Sequence, residues 1–398
     1  RKKAVLDAQQ AFANDALRVL GFAYREMPNA AFGNSRTKFE KTNDIKTETR
    51  LVFVGLQAMI DPPREEVKQA IIECSTAGIK VVMITGDHLG TAYAIGRELG
   101  IPGRAITGEE LEKIPDLAAV VNDIGIYARV NPEHKLKIVA ALQARHHVVA
   151  MTGDGVNDAP ALKQADIGIG MGSGTDVAKE ASVMILADDN FASIVAAVKE
   201  GRRIYDNLAN FIMYLFSSNI GEVLTVFGAL VIGMPLPMLA IQLLWINLVT
   251  DGLPALALSV DPAAPNIMAR KPRPAGAPLI TRGRGLHILT IGTVMMLGTL
   301  FLFSRYEGVL ANTIAFTTLV VMQLFNVLNQ REQLRGLWVW IAIGSSLALQ
   351  FLVVYVLSTI FKTAPLSALD WIWITLVSAS VLVVGQLLRK VKPLSNGG

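Results

Sequence analysis

Cysteine is almost absent: the 398 residues contain one, Cys74. An intrachain disulfide is therefore excluded, as is a cysteine-built metal cluster. Cys74 reads as a small core residue. Histidine is scarce as well. There are five, including the pair His146-His147. None shows metal-ligand spacing, and the set reads as surface or helix-end residues. Charged residues make up 18% of the chain and the net charge is only +4. No stripe of interleaved basic and aromatic side chains points to nucleic acid, so no nucleic-acid partner is expected. Arg1-Lys2-Lys3 is followed by no apolar core, so no signal peptide is expected there. The chain opens in a helical pattern without an initiator Met and is expected to be part of a larger polypeptide.

Apolar residues are abundant: 52% of the chain, with a mean hydropathy of +0.42. They concentrate after about residue 208, while residues 1–200 read as a soluble α/β region. Six stretches, at about 208–233, 238–260, 286–304, 309–330, 337–360 and 370–388, are each long enough to span a bilayer core of ~30 Å. The connection 261–285 carries Arg270, Lys271, Arg273, Arg282 and Arg284. The turn 331–336 adds Arg331 and Arg335, and the tail adds Arg389, Lys390 and Lys392. The opposite turns are short and nearly uncharged. Positive-inside bias places the basic side, and the soluble region with it, in the cytoplasm.

In the soluble half, strands are predicted at 49–56, 79–84, 124–130, 147–151, 166–170 and 182–186. Helices are predicted at 64–77, 90–99 and 132–145. The alternation predicts a parallel, doubly wound α/β sheet. Its most informative run is Met151-Thr-Gly-Asp154-Gly-Val-Asn157-Asp158-Ala-Pro160. That run is an apolar strand ending in a tight loop with two carboxylates, where open α/β sheets place their ligands. Oxygen-only groups of this kind suit Mg²⁺ bound together with a phosphate. Upstream, Thr85-Gly86 is expected to offer a hydroxyl and backbone N–H groups to phosphate oxygens. Lys135, in the first turns of its helix, is expected to neutralise phosphate charge. Alone it would read as a solvated surface lysine. Together the three elements meet the needs of phosphoryl transfer: position the group and neutralise its charge.

Only two acids lie deep in the apolar spans, Glu222 and Asp251. Intramembrane carboxylates are costly and point to function. Asn219 shares a helix face with Glu222, and Asn247 and Thr250 share one with Asp251. Gly221, Gly252 and Pro254 are expected to weaken these helices and free backbone carbonyls, as broken helices do in transporters. The all-oxygen set suits a hard cation such as Ca²⁺. Gln323, beside Asn326, is expected to add one more oxygen. Asn219 and Asn247 also fit plain interhelical hydrogen bonding.

These motifs together resemble a P-type ATPase, closest to the calcium-transporting pumps of the sarcoplasmic-reticulum kind. The matching runs are Asp61-Pro-Pro-Arg64, Met83-Ile-Thr-Gly-Asp87, Met151 to Pro160, Ser218-Asn-Ile-Gly-Glu222 and Leu244-Trp-Ile-Asn-Leu-Val-Thr-Asp-Gly-Leu-Pro254. The resemblance implies a haloacid-dehalogenase-like (Rossmann-like) phosphorylation domain and an all-α transmembrane domain of six helices. It implies that Asp154 binds the catalytic Mg²⁺ and that Asn157 and Asp158 order the phosphate site. Thr85, Gly86 and Lys135 would hold the phosphoryl group, and Arg18, Asp87 and Arg129 would lie close to bound ATP. Asn219, Glu222, Asn247, Thr250 and Asp251 would bind the transported calcium. Residues 1–48 would be the last piece of a nucleotide-binding domain, 49–190 the phosphorylation domain, 191–207 a stalk, 208–388 the membrane domain and 389–398 a cytoplasmic tail. Asp61 to Arg64 would be the hinge to the nucleotide domain.

The family's phosphorylated aspartate stands in an Asp-Lys-Thr-Gly-Thr run, and no such run occurs here. Gly221 stands where the family usually has proline, and Gln323 where two-site pumps have an acid. The expected function is thus the C-terminal portion of an ATP-driven pump in a plasma membrane. The fragment alone would be inactive, and the missing N-terminal part would be its partner. The alternatives are a pump of the same family for Na⁺ or Mn²⁺, a non-catalytic truncated membrane fragment, or a membrane-anchored phosphatase, which the absent nucleophile disfavours.

Overall fold

The computed structural model describes residues 2–14, 17–25, 50–59, 65–274, 276–331 and 336–391, the side chains of 13, 14, 18, 390 and 391 excepted. It divides into two units, Arg1–Val195 and Ala196–Gly398. Asp61 to Arg64, Arg335 and Lys392 lie outside the described residues.

The first unit opens with helix α1, Lys2–Asn14, followed by strands β1, Arg18–Tyr24, and β2, Val52–Met59. These two strands pair antiparallel, from Arg18↔Met59 to Tyr24↔Val52. That corrects the expectation that 49–56 joins the parallel set. A strand's apolar run shows its type but not its partner, and β1 was not expected as a strand. After helix α2, Glu65–Thr76, come β3, Met83–Ile84, helix α3, Leu89–Glu98, β4, Arg104–Thr107, and β5, Ile124–Ala128. β3 and β4 flank β5, all parallel. Every residue of β5 is buried, which a central parallel strand covered on both faces requires.

Helix α4, Pro132–Ala144, follows with proline in its first turn, where its missing N–H costs nothing. A second parallel ladder is built from β6, Ala150–Gly153, β7, Ile167–Met171, and β8, Met184–Leu186, in that order. Beside the β1–β2 pair, the strands thus form two parallel three-stranded ladders in an α/β fold. Ile84 of β3 packs on the same core as Val149 and Met151. Cys74 is buried, as expected.

The second unit contains six helices long and apolar enough to cross a membrane, among the described residues. They are α5, Phe191–Ile232; α6, Ala240–Ser259; α7, Arg282–Phe303; α8, Gly308–Asn329; α9, Leu337–Val356; and α10, which reaches from Ala368 to Val391. The expected stalk and first span run as one helix of 42 residues. α6 is interrupted by a π turn at Ile246–Thr250, and α9 ends in another at Leu352–Val356. α8 is the centre of the bundle. Ala315, Phe316, Leu319, Val320, Met322 and Gln323 on it are wholly buried.

Association in lipid lacks a hydrophobic driving force, so small residues at contacts matter. A Cβ on Gly385 of α10 would collide with the side chain of Asn329 on α8, whose Nδ2 donates to Val381 O at 2.8 Å. One on Gly221 would lie 2.8 Å from Met295 Sδ. Gly221 therefore does not break α5, contrary to expectation. It lets α7 approach, and its carbonyl accepts from Thr225 Oγ1 at 2.7 Å. His287 is another departure from expectation. It is buried in α7, with no hydrogen-bond partner for either ring nitrogen among the described residues.

Candidate functional site

In the first unit, three loops meet at the C-terminal ends of parallel strands. Backbone hydrogen bonds tie the loop after β3 to the end of β5. Thr85 N donates to Tyr127 O at 2.9 Å, Arg129 N to Asp87 O at 3.0 Å and Val130 N to Thr85 O at 3.3 Å. Arg129 takes φ 50° to make this turn. Thr85 Oγ1 donates to Asp87 Oδ2 at 2.9 Å and accepts from Asp87 N at 3.1 Å. This revises the expected donor set. The N–H and hydroxyl of Thr85 are both engaged, which leaves the exposed Gly86 as the loop's open face. A Cβ there would meet nothing within 4 Å.

Asn131 caps α4: its Oδ1 accepts from His134 N at 2.9 Å, and His134 Nδ1 accepts from Asn131 N at 3.3 Å. A cap of this kind stabilises by about 1 kcal/mol. It fixes the first turn that carries Lys135. Lys135 forms an ion pair with Asp158 of the acidic loop. Asp158 is only 5% exposed. Its Oδ2 also accepts from Asp154 N and Gly155 N, both at 3.3 Å. A side chain on Gly153 would run into the Asp158 side chain. Asp158 therefore organises the loop from inside. Asp154 and Asn157 are exposed, and neither side chain makes a hydrogen bond among the described residues. A free carboxylate at a strand end, beside a lysine and a backbone-braced loop, is a donor set that fits Mg²⁺ with a phosphate. Asp87 and Arg129 are exposed on the same loops. The Arg18 side chain lies outside the described residues.

In the second unit, Glu222 on α5 and Asp251 on α6 are 6% and 1% exposed. Gln323 of α8 lies between them. Its Nε2 donates to Glu222 Oε1 at 2.9 Å and to Asp251 Oδ2 at 3.4 Å. Its own Oε1 is buried without a partner among the described residues. Asn247 Nδ2 donates to Glu222 Oε2 at 2.7 Å. Tyr214, not anticipated, donates its hydroxyl to Asp251 Oδ1 at 2.8 Å. Thr250 Oγ1 donates to Ile246 O at 3.1 Å. Asn219 is exposed and outside this network. The break in α6 is the π turn at 246–250, between Asn247 and Asp251, and not at Gly252 or Pro254. No group of three or more His, Cys, Asp or Glu gathers among the described residues. Two carboxylates with amide, hydroxyl and carbonyl oxygens are a hard-cation set.

An α/β unit of parallel strands joined in sequence to six apolar helices with a buried acid pair is the arrangement that the P-type ATPase resemblance implies. The comparisons agree. Residues 4–166 match the haloacid dehalogenase-like hydrolase family and residues 235–391 the family described as cation transporting ATPase, C-terminus. A calcium-transporting ATPase of Bacillus subtilis is 44% identical over 96% of this chain and 44% of its own length. One from Lactococcus lactis is 42% identical, over 96% of this chain and 45% of that protein. The Arabidopsis thaliana calcium-transporting ATPase 3, endoplasmic reticulum-type, is 40% identical over 95% of this chain and 42% of that protein. The chain is similar over nearly its whole length to the C-terminal portion of calcium-transporting P-type ATPases, and its six apolar helices mark a multi-pass membrane protein. It spans a little under half the length of these relatives.

Proposed function

We propose that this chain is the C-terminal portion of an ATP-driven pump that exports Ca²⁺ across the plasma membrane by an aspartyl-phosphate mechanism, with its first unit in the cytoplasm. The observation that carries the reading is the bridge made by Gln323 between Glu222 and Asp251, three side chains from three helices converging in the membrane unit.

In this reading Asp154 holds the catalytic magnesium ion, with Asn157 beside it. When bound, that ion neutralises charge on the transferred phosphoryl group. Lys135 brings positive charge to the same loop, and Asp158 keeps the loop in shape. Gly86 leaves room for the phosphoryl oxygens, and Asp87 and Arg129 flank the nucleotide. The nucleophilic aspartate belongs to the rest of the pump, because the Asp-Lys-Thr-Gly-Thr run is not in this sequence. Glu222, Asp251, Asn247 and Thr250 serve the calcium ion. Gln323 joins them by turning its amide so that Oε1 replaces Nε2. Asn219, exposed and outside that network, is the remaining oxygen ligand of the proposed shell. One amide in place of a third carboxylate supports a site of lower charge.

In the full-length protein, Asp251→Asn is expected to abolish calcium-dependent phosphorylation by ATP and to leave phosphorylation by inorganic phosphate intact. An unchanged calcium dependence would remove Asp251 from the ion site. The chain alone, incubated with labelled ATP, is expected to take up no acid-stable phosphate. Labelling would mean that the nucleophile lies within it.

A further inference from the structure

In the first turn of a helix, the side chain that reaches back to the cap residue's N–H is usually glutamate or glutamine. In α4 a histidine, His134, takes that place. An imidazole has two nitrogens, so the cap uses one and leaves a second. Nδ1 accepts from Asn131 N, and a ring nitrogen that accepts carries no proton. The ring's proton therefore sits on Nε2. That nitrogen stands 2.9 Å from Glu112 Oε1 and donates to it. The His134 side chain is 5% exposed and that of Glu112 57%, so a buried ring is held by a surface acid. Glu112 closes the short helix Gly108–Glu112, which follows β4.

Three segments meet at this ring. A Cβ on Gly108 would lie 2.6 Å from His134 Nδ1 and 2.6 Å from Arg129 O. Arg129 is the residue at φ 50° whose N–H donates to Asp87 O. On the other side, Asn131 O accepts from Lys135 N at 3.3 Å, one residue past the ring. His134 thus bears on the Arg129 turn and on the first turn of α4 together. Lys135 leaves that turn to pair with Asp158 of the acidic loop. A cap alone needs one acceptor. The second bond, to a residue 22 positions earlier, is the one that fixes α4 against the segment after β4.

We propose that His134, held by Glu112, is a positioning residue for Lys135. It sets where the lysine's helix begins relative to the loop that carries Asp154 and Asp158, and it touches no substrate itself. The inference rests on the reading of Lys135 as the cation of the phosphoryl site.

The test measures calcium-dependent phosphorylation by ATP in the full-length pump. His134→Leu removes both ring bonds. It is expected to slow phosphorylation about tenfold, with the KM for ATP and the calcium concentration for half-activation unchanged. His134→Gln, whose amide carries an acceptor and a donor on one carbon, is expected to recover most of the rate. Glu112→Ala, at an exposed position, is expected to slow phosphorylation about threefold. Should melting show that His134→Leu does not fold, Glu112→Ala and His134→Gln decide the matter. Wild-type rates in Glu112→Ala and His134→Leu would overturn the proposal. So would a His134→Gln variant as slow as His134→Leu, or a fall in rate matched by a rise in the KM for ATP. Lys135→Met, run alongside, separates the two claims. If it kept its phosphorylation, the reading of Lys135 would fall and the positioning with it. If it lost phosphorylation while the His134 and Glu112 variants ran at wild-type rates, the positioning alone would fall.

Discussion

Gln323 Nε2 stands 2.9 Å from Glu222 Oε1, so the neutral amide of one helix neutralises part of an acid on another. Two carboxylates held in an apolar bundle repel each other and lose hydration. The amide between them offsets both effects and leaves its own oxygen unpartnered. In the proposed site that oxygen is the ligand in reserve. Gln323→Leu in the full-length pump removes donor and ligand together. Its apparent calcium affinity, read from calcium-dependent phosphorylation, is expected to fall about tenfold or more, while Gln323→Glu should retain calcium dependence. Identical curves for wild type and Gln323→Leu would take Gln323 out of the site.

Lys135 braces a loop as well as carrying charge. Lys135→Met would leave the buried Asp158 carboxylate without its cation. Breaking a pair of this kind costs about 3 kcal/mol. Phosphorylation should be lost, and the first transition in a thermal melt should move down. The double variant with Asp158→Asn should recover stability without activity. If Lys135→Met melted like wild type, the ion pair would have no structural weight.

Tyr127 sits in β5, wholly buried, and its hydroxyl has no partner among the described residues. Burial pushes its pKa up from 10.0 to about 12. The folded form therefore resists ionisation that the unfolded chain allows. Stability on this account is fully present below pH 10 and is lost as pH rises from 10 toward 12. Tyr127→Phe removes an unsatisfied polar group and should be neutral or slightly stabilising at pH 7. It should also flatten alkaline denaturation over that window, as followed by circular dichroism. A variant that denatured along the same alkaline curve as wild type would show that another group governs it.

Helix contact in the second unit can be probed by a matched pair of glycines. Gly385 faces Asn329 closely, whereas a Cβ on Gly344 of α9 would meet nothing within 4 Å. Gly385→Ala should destabilise by about 1–3 kcal/mol, because Asn329 must give up its bond to Val381. Gly344→Ala should be neutral or better. Melting in detergent would compare them, and equal effects would argue against close packing at Gly385.

Much of this architecture is written in local patterns. The strands near 83, 124, 150, 167 and 184 and all six apolar helices follow from runs of apolar residues with turn residues between them. The acidic loop after β6 and the two buried acids of the apolar helices are legible because carboxylates in such places are rare. What escapes is set by tertiary context. β1 and β2 pair across residues 25–51, which no local pattern reports. β4 has four residues, Arg104–Thr107, too few to show a period. The role of Tyr214 depends on a contact 37 positions away. Gly221 looked like a helix breaker, yet it accommodates Met295. Thr85 seemed to offer its N–H and hydroxyl, but the folded loop engages both.

The π turn at Ile246–Thr250 stores one residue more than an α turn would in the same rise. Were α6 to expel that residue and rewind, everything beyond it would swing by about 100° around the axis. Asp251 would leave Tyr214 and Gln323, while Glu222, on an unbroken helix, would keep its place. A slip of a single peptide unit is thus enough to pull apart the two carboxylates that Gln323 bridges, with no need for the helix to melt.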